Sequence, residues 1–189
     1  MFVAAVSQNE SVLILFGSDN YRTSLACQVS LERPDTVSTI HSAPAVITYG
    51  AAACVMGDTL YAVGIGGAYN ELWRWQATSD WTRCADMTSG RRGHCVAVVD
   101  STLYTLCGVK GYTVQSSIEA YNTQTDKWSA AGELKHAVHG AACVSYKNSI
   151  YVFGGADTKD NDVARVQVYD TAQHKCTLLR RRCLERTKR

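Results

Sequence analysis

A repeat runs through most of this 189-residue sequence and restricts its fold more than any other feature. In each copy a Leu-Tyr or Ile-Tyr pair begins a short apolar run, and the tyrosines recur at intervals of 43 and 47 residues: Tyr61, Tyr104 and Tyr151. A second aromatic series recurs at intervals of 46 and 48 residues: Trp75, Tyr121 and Tyr169. Short apolar runs bounded by turn residues predict β-strands. A unit of this kind buries its faces only against neighbouring units, so the copies must pack side by side.

The length of the repeat and its short strands predict a β-propeller, in which each unit is a four-stranded antiparallel sheet, or blade. We therefore expect an all-β fold with about four blades, near residues 2–40, 46–84, 93–131 and 138–179. The first of these lacks the aromatic markers of the others. Residues 1–179 are predicted to form one domain, and residues 180–189 a basic C-terminal tail.

The charge of the chain is unevenly distributed. The formal net charge is +2, but residues 180–189 carry six basic residues and one acidic residue. Without this tail the chain has 13 basic and 16 acidic residues, so its body shows no nucleic-acid footprint. The tail has the composition of a nuclear-localisation or anionic-surface patch, and a solvated terminus is the favoured alternative. No apolar run is long enough to span a membrane, and we expect neither nucleic acid nor membrane as a partner.

The eight cysteines do not have the spacing of a disulfide or zinc framework. Cys54, Cys95 and Cys143 stand at similar points in three repeats, each within an apolar strand, where cysteine acts as a small buried apolar residue. No C-x-x-C pattern occurs. We therefore predict a reduced, cytoplasmic protein. A redox-sensing thiol is the alternative, and the sequence favours no particular cysteine for it.

No group of residues has the pattern of a catalytic or metal site. The histidines form no recognisable ligand set: His41, His94, His136, His139 and His174. His139 matches His94 of the preceding repeat, and a shared role in the repeat explains both better than metal binding. The hydrolase motifs G-x-S-x-G and H-E-x-x-H are absent. We predict no enzymatic activity, no cofactor and no metal.

The recurrent aromatic residues are predicted to be core residues that fill the space between blades. They are Trp81, Tyr121, Trp128 and Tyr169. Burial of each contributes about 2–3 kcal/mol, so a role as a ligand-stacking platform is the less favoured interpretation.

Residues 45–179 resemble kelch repeats, and the closest similarity is to the BTB-kelch, or kelch-like, proteins. The segment Met87–His94, followed by an apolar strand and Leu103-Tyr104, is typical of them. The resemblance implies a six-bladed substrate-recognition domain, with BTB and BACK domains that bind cullin-3. This sequence shows about four repeats and no BTB or BACK segment, so we expect a partial or open propeller. Three residues depart from the family pattern: Ile65 and Cys107 replace glycines, and Cys176 replaces a tryptophan.

The resemblance implies a protein-interaction module, similar to the substrate-recognition part of a cullin-3 ubiquitin-ligase adaptor. Its partner would be a protein substrate or peptide, and cullin-3 would be reached only through BTB and BACK domains. The alternative is a cytoskeletal, actin-binding or scaffolding kelch protein, which the sequence alone does not separate from the first.

The predicted binding face lies at one end of the blades. Strands within a blade alternate in direction, so the loop between the second and third strands lies at the same end as the connection to the next blade. These are the long, variable loops, and binding residues concentrate on loops held by a rigid scaffold. The candidates on them are Tyr21, Arg22, Tyr69, Asn70, Arg92, Lys110, Tyr112 and Lys159.

Overall fold

The computed structural model describes strands at residues 3–8, 11–17, 24–30 and 37–40, and then residues 50–77 and 79–179. Tyr21, Arg22 and the tail at 180–189 lie outside the described residues. The chain divides into two compact units, Met1–Arg92 and Gly93–Arg189. Each unit holds two four-stranded antiparallel sheets whose strands follow one another in chain order, and the described residues form no helix. The prediction of about four four-stranded antiparallel sheets is confirmed.

Unit 1, Met1–Arg92, contains sheets 1 and 2. Sheet 1 consists of β1 (Val3–Gln8), β2 (Ser11–Gly17), β3 (Ser24–Ser30) and β4 (Val37–Ile40). Sheet 2 consists of β5 (Ala52–Met56), β6 (Thr59–Ile65), β7 (Glu71–Trp75) and β8 (Thr82–Arg83). Every residue of β6, which lies between β5 and β7, is buried.

Unit 2, Gly93–Arg189, contains sheets 3 and 4. Its first strands are β9 (Cys95–Val99), β10 (Thr102–Leu106), β11 (Val109–Lys110), β12 (Thr113–Val114), β13 (Ser117–Asn122) and β14 (Lys127–Glu133). Sheet 3 is formed by β9, β10, β13 and β14, and β11 pairs with β12 as a separate hairpin. Sheet 4 consists of β15 (Ala142–Tyr146), β16 (Ser149–Phe153), β17 (Val166–Asp170) and β18 (Lys175–Leu178).

The repeated tyrosines occupy one position of the strand ladder in three sheets. Each lies opposite the third residue of the preceding strand: Tyr61 opposite Cys54, Tyr104 opposite Ala97, and Tyr151 opposite Val144. The cysteines of the first strands do not share a position. Cys95 is the first residue of β9, Cys143 the second of β15 and Cys54 the third of β5. The three cysteines therefore occupy different positions in their strands, although their places in the repeats are similar.

The core of unit 2 lies between sheets 3 and 4. Alternate residues of β9 are buried, as the period of two in a strand requires. They pack in one apolar cluster with Ile150 and Val152 of β16. The rings of Tyr104 and Tyr169 meet edge to face with centroids 6.2 Å apart, a favourable aromatic geometry. Tyr169 also donates a hydrogen bond to the carbonyl oxygen of Ala131.

The four aromatic residues predicted to fill the core all pack against apolar or aromatic side chains, but they differ in burial. Tyr121 and Tyr169 are fully buried, whereas Trp81 and Trp128 are only half-buried. Trp128 lies on β14, the last strand of sheet 3, and its indole packs against Tyr121 on the neighbouring strand.

One face of sheet 4 is apolar and exposed. Val144, Tyr146 and Phe153 expose 54%, 63% and 39% of their surface. The residues at the same ladder positions of sheet 3 are all buried in unit 2: Ala97, Val99 and Leu106. The two sheets thus use equivalent positions for an apolar face, and within unit 2 only that of sheet 3 is covered. No helix in the described part of the chain has the length and hydropathy needed to cross a membrane.

Candidate protein-binding face

Three loops of unit 2 lie at one end of its strands, as the alternation of strand direction predicts. They are 107–116, between β10 and β13; 134–141, between sheets 3 and 4; and 154–165, between β16 and β17. The amide of Gly108 donates a hydrogen bond to the carbonyl oxygen of Val138 over 2.9 Å, and that of Leu134 donates to Ser116 over 2.8 Å. We call this group of loops the loop end of unit 2.

The connection 134–141 is also hydrogen-bonded to loop 154–165. His139 and Ala156 exchange two backbone hydrogen bonds of 3.0 and 2.9 Å. The imidazole Nε2 of His139 lies 3.2 Å from a carboxylate oxygen of Asp160. These backbone bonds hold the three loops to one another, so side chains at the loop end stand on a defined scaffold.

The hairpin β11–β12 projects two of the predicted residues into solvent. Tyr112 is 100% exposed, and Lys110 is exposed beside it. The amide of Gln115 donates to the carbonyl oxygen of Gly108 over 2.8 Å and closes the loop at its base. A tyrosine with no burial gains nothing for the fold, yet carries a large apolar area with a polar tip, as interface anchors do.

Lys159 lies in a tight turn organised by Asp157. The carboxylate of Asp157 accepts hydrogen bonds from the backbone amides of Lys159 and Asn161, at 2.8 and 3.0 Å. These bonds stabilise the ionised carboxylate and lower the pKa of Asp157 below its ordinary value. The turn therefore leaves the Lys159 side chain exposed while its backbone is held.

A group of polar residues at the loop end of unit 2 was not predicted from the sequence. The buried amide side chain of Gln167 accepts from the backbone N–H of His136 and donates to its carbonyl oxygen, at 2.8 and 3.0 Å. The imidazole of His136 in turn lies 3.0 Å from a guanidinium nitrogen of Arg165. His136 is 31 residues from Gln167 in sequence, and no local pattern announces such a contact.

Unit 1 has the corresponding arrangement in its second sheet. The loop after β6 is bonded to the segment after β8, because Arg91 donates its amide to Tyr69 over 2.9 Å and Met87 donates to Asn70 over 2.8 Å. Gly90 lies so close to the carbonyl of Ala68 that a β-carbon at position 90 would overlap the oxygen.

The predicted residues of unit 1 are less accessible than those of unit 2. Tyr69, Asn70 and Arg92 are all half-buried. Tyr69 has a positive φ of 56°, and the Asn70 amide lies 3.4 Å from the carboxylate of Asp86. Their backbones join the two loops, which gives Tyr69 and Asn70 a structural task in addition to any binding.

A second unpredicted group surrounds Arg83 in unit 1. Its guanidinium pairs with Asp86 at 2.9 Å and lies 5.9 Å from the ring centroid of Trp73. The hydrogen bond with Asp86 and the nearby Glu71 raise the pKa of Arg83. Glu71 also accepts a hydrogen bond of 2.8 Å from the Trp73 indole. Arginine and tryptophan are common interface anchors, and their spacing along β7 and β8 becomes meaningful only when the strands pair.

Within the described ranges, no group of three or more histidine, cysteine, aspartate or glutamate side chains is arranged to hold a metal ion. The eight predicted binding residues and the predicted lack of enzymatic activity stay predictions. The structure brings Tyr69 and Asn70 to one loop cluster of unit 1, and Lys110, Tyr112 and Lys159 to the loop end of unit 2.

Known proteins of similar sequence carry the same repeat. The family described as Kelch motif matches residues 90–135 and 137–181. "Kelch-like protein 25" of Xenopus tropicalis is 29% identical over 140 residues, which cover 67% of this chain and 24% of that protein. "Kelch repeat and BTB domain-containing protein 4" of Homo sapiens is 29% identical over 176 residues, which cover 87% of this chain and 32% of that protein. The chain thus spans about a third or less of these curated relatives.

A solved structure agrees with the fold. The protein YjhT superposes with a TM-score of 0.81 at 16% sequence identity, over 94% of this chain and 64% of that one. The predicted kelch-type β-propeller fold class is confirmed, and the partial or open ring stays a prediction. The chain carries kelch motifs, and its relatives over the kelch region, at modest identity, are BTB-kelch proteins.

Proposed function

We propose that this kelch-repeat chain, whose relatives are BTB-kelch proteins, is a protein-interaction module that binds a protein or peptide at the loop end of its sheets. In a protein that also carries BTB and BACK domains, it would act as the substrate-recognition part of a cullin-3 ubiquitin-ligase adaptor in the cytoplasm. The binding carries no chemical step, so neither a cofactor nor a metal is required.

The observation that carries this proposal is the loop end of unit 2. Backbone hydrogen bonds between Gly108 and Val138 and between His139 and Ala156 hold its three loops together. From this scaffold Lys110, Tyr112 and Lys159 extend into solvent without a packing role in the fold. Exposed side chains on a held backbone lose little loop entropy on binding, which favours affinity.

The test compares two ends of the same unit with matched variants. The loop-end variant is Lys110→Ala, Tyr112→Ala and Lys159→Ala in the 189-residue chain. The control variant is Lys127→Ala, Gln173→Ala and Lys175→Ala, which removes three exposed side chains outside the loop end. Tagged wild-type and variant chains are expressed in cells, and captured proteins are quantified by mass spectrometry after each chain is shown to melt like the wild type.

Recovery of the main partner should fall at least tenfold with the loop-end variant and stay unchanged with the control. A loss confined to the control variant would overturn the assignment of the face. In cells that express this chain joined to BTB and BACK domains, depletion of cullin-3 should lower ubiquitination of the captured partner. Capture of actin, with no cullin-3-dependent ubiquitination of any partner, would favour the cytoskeletal alternative.

A further inference from the structure

Two cysteines of sheet 3 touch in the core of unit 2. The sulfur atoms of Cys95 and Cys107 lie 3.8 Å apart, and both side chains are buried. We propose that Cys95 and Cys107 are a site of reversible disulfide formation, with a small peroxide such as hydrogen peroxide as the oxidant.

The backbone at Cys107 creates this contact. Cys95 lies directly opposite Leu106, the last residue of β10. Since side chains alternate along a strand, an extended residue 107 would point to the other face of the sheet from Leu106 and Cys95. Cys107 instead has a positive φ of 59°, which ends the alternation and brings its sulfur to Cys95. A disulfide bond is about 2.05 Å long, so the two sulfur atoms must approach each other by about 1.8 Å to form one.

Sheets 2 and 4 show which residues occupy the positions of Cys95 and Cys107 when no disulfide can form. Two residues after the repeated tyrosine, at the position of Leu106, Val63 lies opposite Ala52 in sheet 2 and Phe153 lies opposite Ala142 in sheet 4. The next residue is Gly64, at an irregularity within β6, or Gly154, just after β16, with positive φ values of 78° and 63°. Sheet 3 thus replaces an alanine and a glycine by two cysteines in contact. A side chain is strained at such a φ, so packing of the turn by itself favours glycine at position 107.

The surroundings of the two thiols should slow their reaction with peroxide. Hydrogen bonding with the thiols of Cys107 and Cys143, followed by burial, raises the pKa of Cys95 well above its ordinary value. Only the thiolate attacks a peroxide, so oxidation should accelerate as pH rises and as the unit opens locally. The nearby Cys143 thiol donates to the carbonyl oxygen of Val96 over 3.1 Å.

The reaction balances with one peroxide. One thiolate attacks a peroxide oxygen, the O–O bond breaks, and a sulfenic acid and water are formed after protonation. The second thiol attacks the sulfenic sulfur, the S–O bond breaks, and a second water leaves as the disulfide forms. Both sulfurs are oxidised, the peroxide is reduced, and a dithiol reductant reverses the step by thiol–disulfide exchange.

The disulfide would tether the start of β9 to the base of the hairpin loop. Gly108, which follows Cys107, bonds both Val138 and Gln115. Oxidation should therefore slow hydrogen exchange in residues 108–116. An effect on partner binding rests on the proposed function, whereas formation of the disulfide does not.

The experiment treats the folded 189-residue chain with hydrogen peroxide, alkylates the remaining thiols and maps the peptides by mass spectrometry. We expect a peptide pair joined through Cys95 and Cys107, lost after reduction, at a rate that rises at least tenfold between neutral and mildly alkaline pH. C143A should retain the cross-link. The double variant C95A/C107G restores the pair found in sheets 2 and 4, so it should fold, form no cross-link and show no change in hydrogen exchange on oxidation.

Three results would overturn the proposal: both thiols alkylated after prolonged peroxide treatment, sulfinic acid at either cysteine as the main product, or a cross-link from Cys95 to Cys143 as the main product. The wild-type map decides among them even if a variant fails to fold. Loss of partner binding in the loop-end variant leaves this result unaffected, so the two proposals fail separately.

Discussion

The ring of Tyr121 lies 5.2 Å, centroid to centroid, from the indole of Trp128, its direct partner across β13 and β14. The phenol also donates a hydrogen bond of 2.8 Å to a carboxylate oxygen of Asp126 in the turn between these strands. Turn, edge strand and buried strand are therefore joined through one aromatic pair.

The Trp128→Ala variant should lose about 2 kcal/mol of unfolding free energy. Truncation of a fully buried aromatic costs about 3–5 kcal/mol, and Trp128 is only half-buried. Tyr121→Ala, at a fully buried position, should reach the full range. Denaturant titration of both variants measures the difference. If Trp128→Ala proves at least as costly as Tyr121→Ala, the indole is more deeply packed than its exposure indicates.

The chain should lose stability at alkaline pH through Tyr169. Burial raises the pKa of Tyr169 to about 12. The unfolded tyrosine titrates near 10, so the native state keeps a proton that the unfolded state releases. Its contribution is complete below pH about 10 and is lost as pH rises through about 12. Unfolding followed against pH should show this decline, and Tyr169→Phe should flatten it. An equal slope in wild type and variant would assign the decline to other groups.

A β-carbon at position 90 should disrupt the junction of the two loops in unit 1. In Gly90→Ala it would overlap the carbonyl oxygen of Ala68 and lie 3.1 Å from the carbonyl carbon. Both obstacles are backbone atoms, so the loops must separate, at a cost of about 1–3 kcal/mol. Gly67→Ala is the control, since nothing lies within 4 Å of its added carbon, and should change stability by less than about 0.5 kcal/mol. Similar melting temperatures for the two variants would contradict the close approach.

The exposed face of sheet 4 should promote self-association of the isolated chain. Val144 and Tyr146 are neighbours on one face of β15 and are more than half exposed. Contiguous exposed apolar residues favour association. Threonine is compatible with a β-strand, so both residues can be replaced by it. The replacement should lower the weight-average molecular mass measured by sedimentation at high protein concentration. Unfolding free energy should change by less than about 0.5 kcal/mol per site. An unchanged mass would show that this face does not drive association.

Much of the fold could be predicted because the repeat acts through local rules. The period of two, the turn residues and the tyrosine spacing predicted the described strands of sheets 2, 3 and 4 and their antiparallel order. The alternation of strand direction also predicted that loops 108–116 and 154–162 share an end with the connection to the next sheet. The sequence did not predict which side chains on the loops are exposed. Lys110 and Tyr112 are exposed, whereas Tyr69 and Asn70 join two loops, and no sequence pattern separates these outcomes.

The sequence by itself determined that this chain forms consecutive antiparallel sheets, because periodicity and turn chemistry are properties of neighbouring residues. Only the tertiary structure decided that Trp128 is half-buried while Tyr121 is not, since burial depends on what covers a strand from outside its own sheet. It also decided that Cys95 meets Cys107, because that contact depends on strand register and one positive φ rather than on spacing. Long-range packing determines these two features, so they cannot be predicted from the local patterns of the repeat.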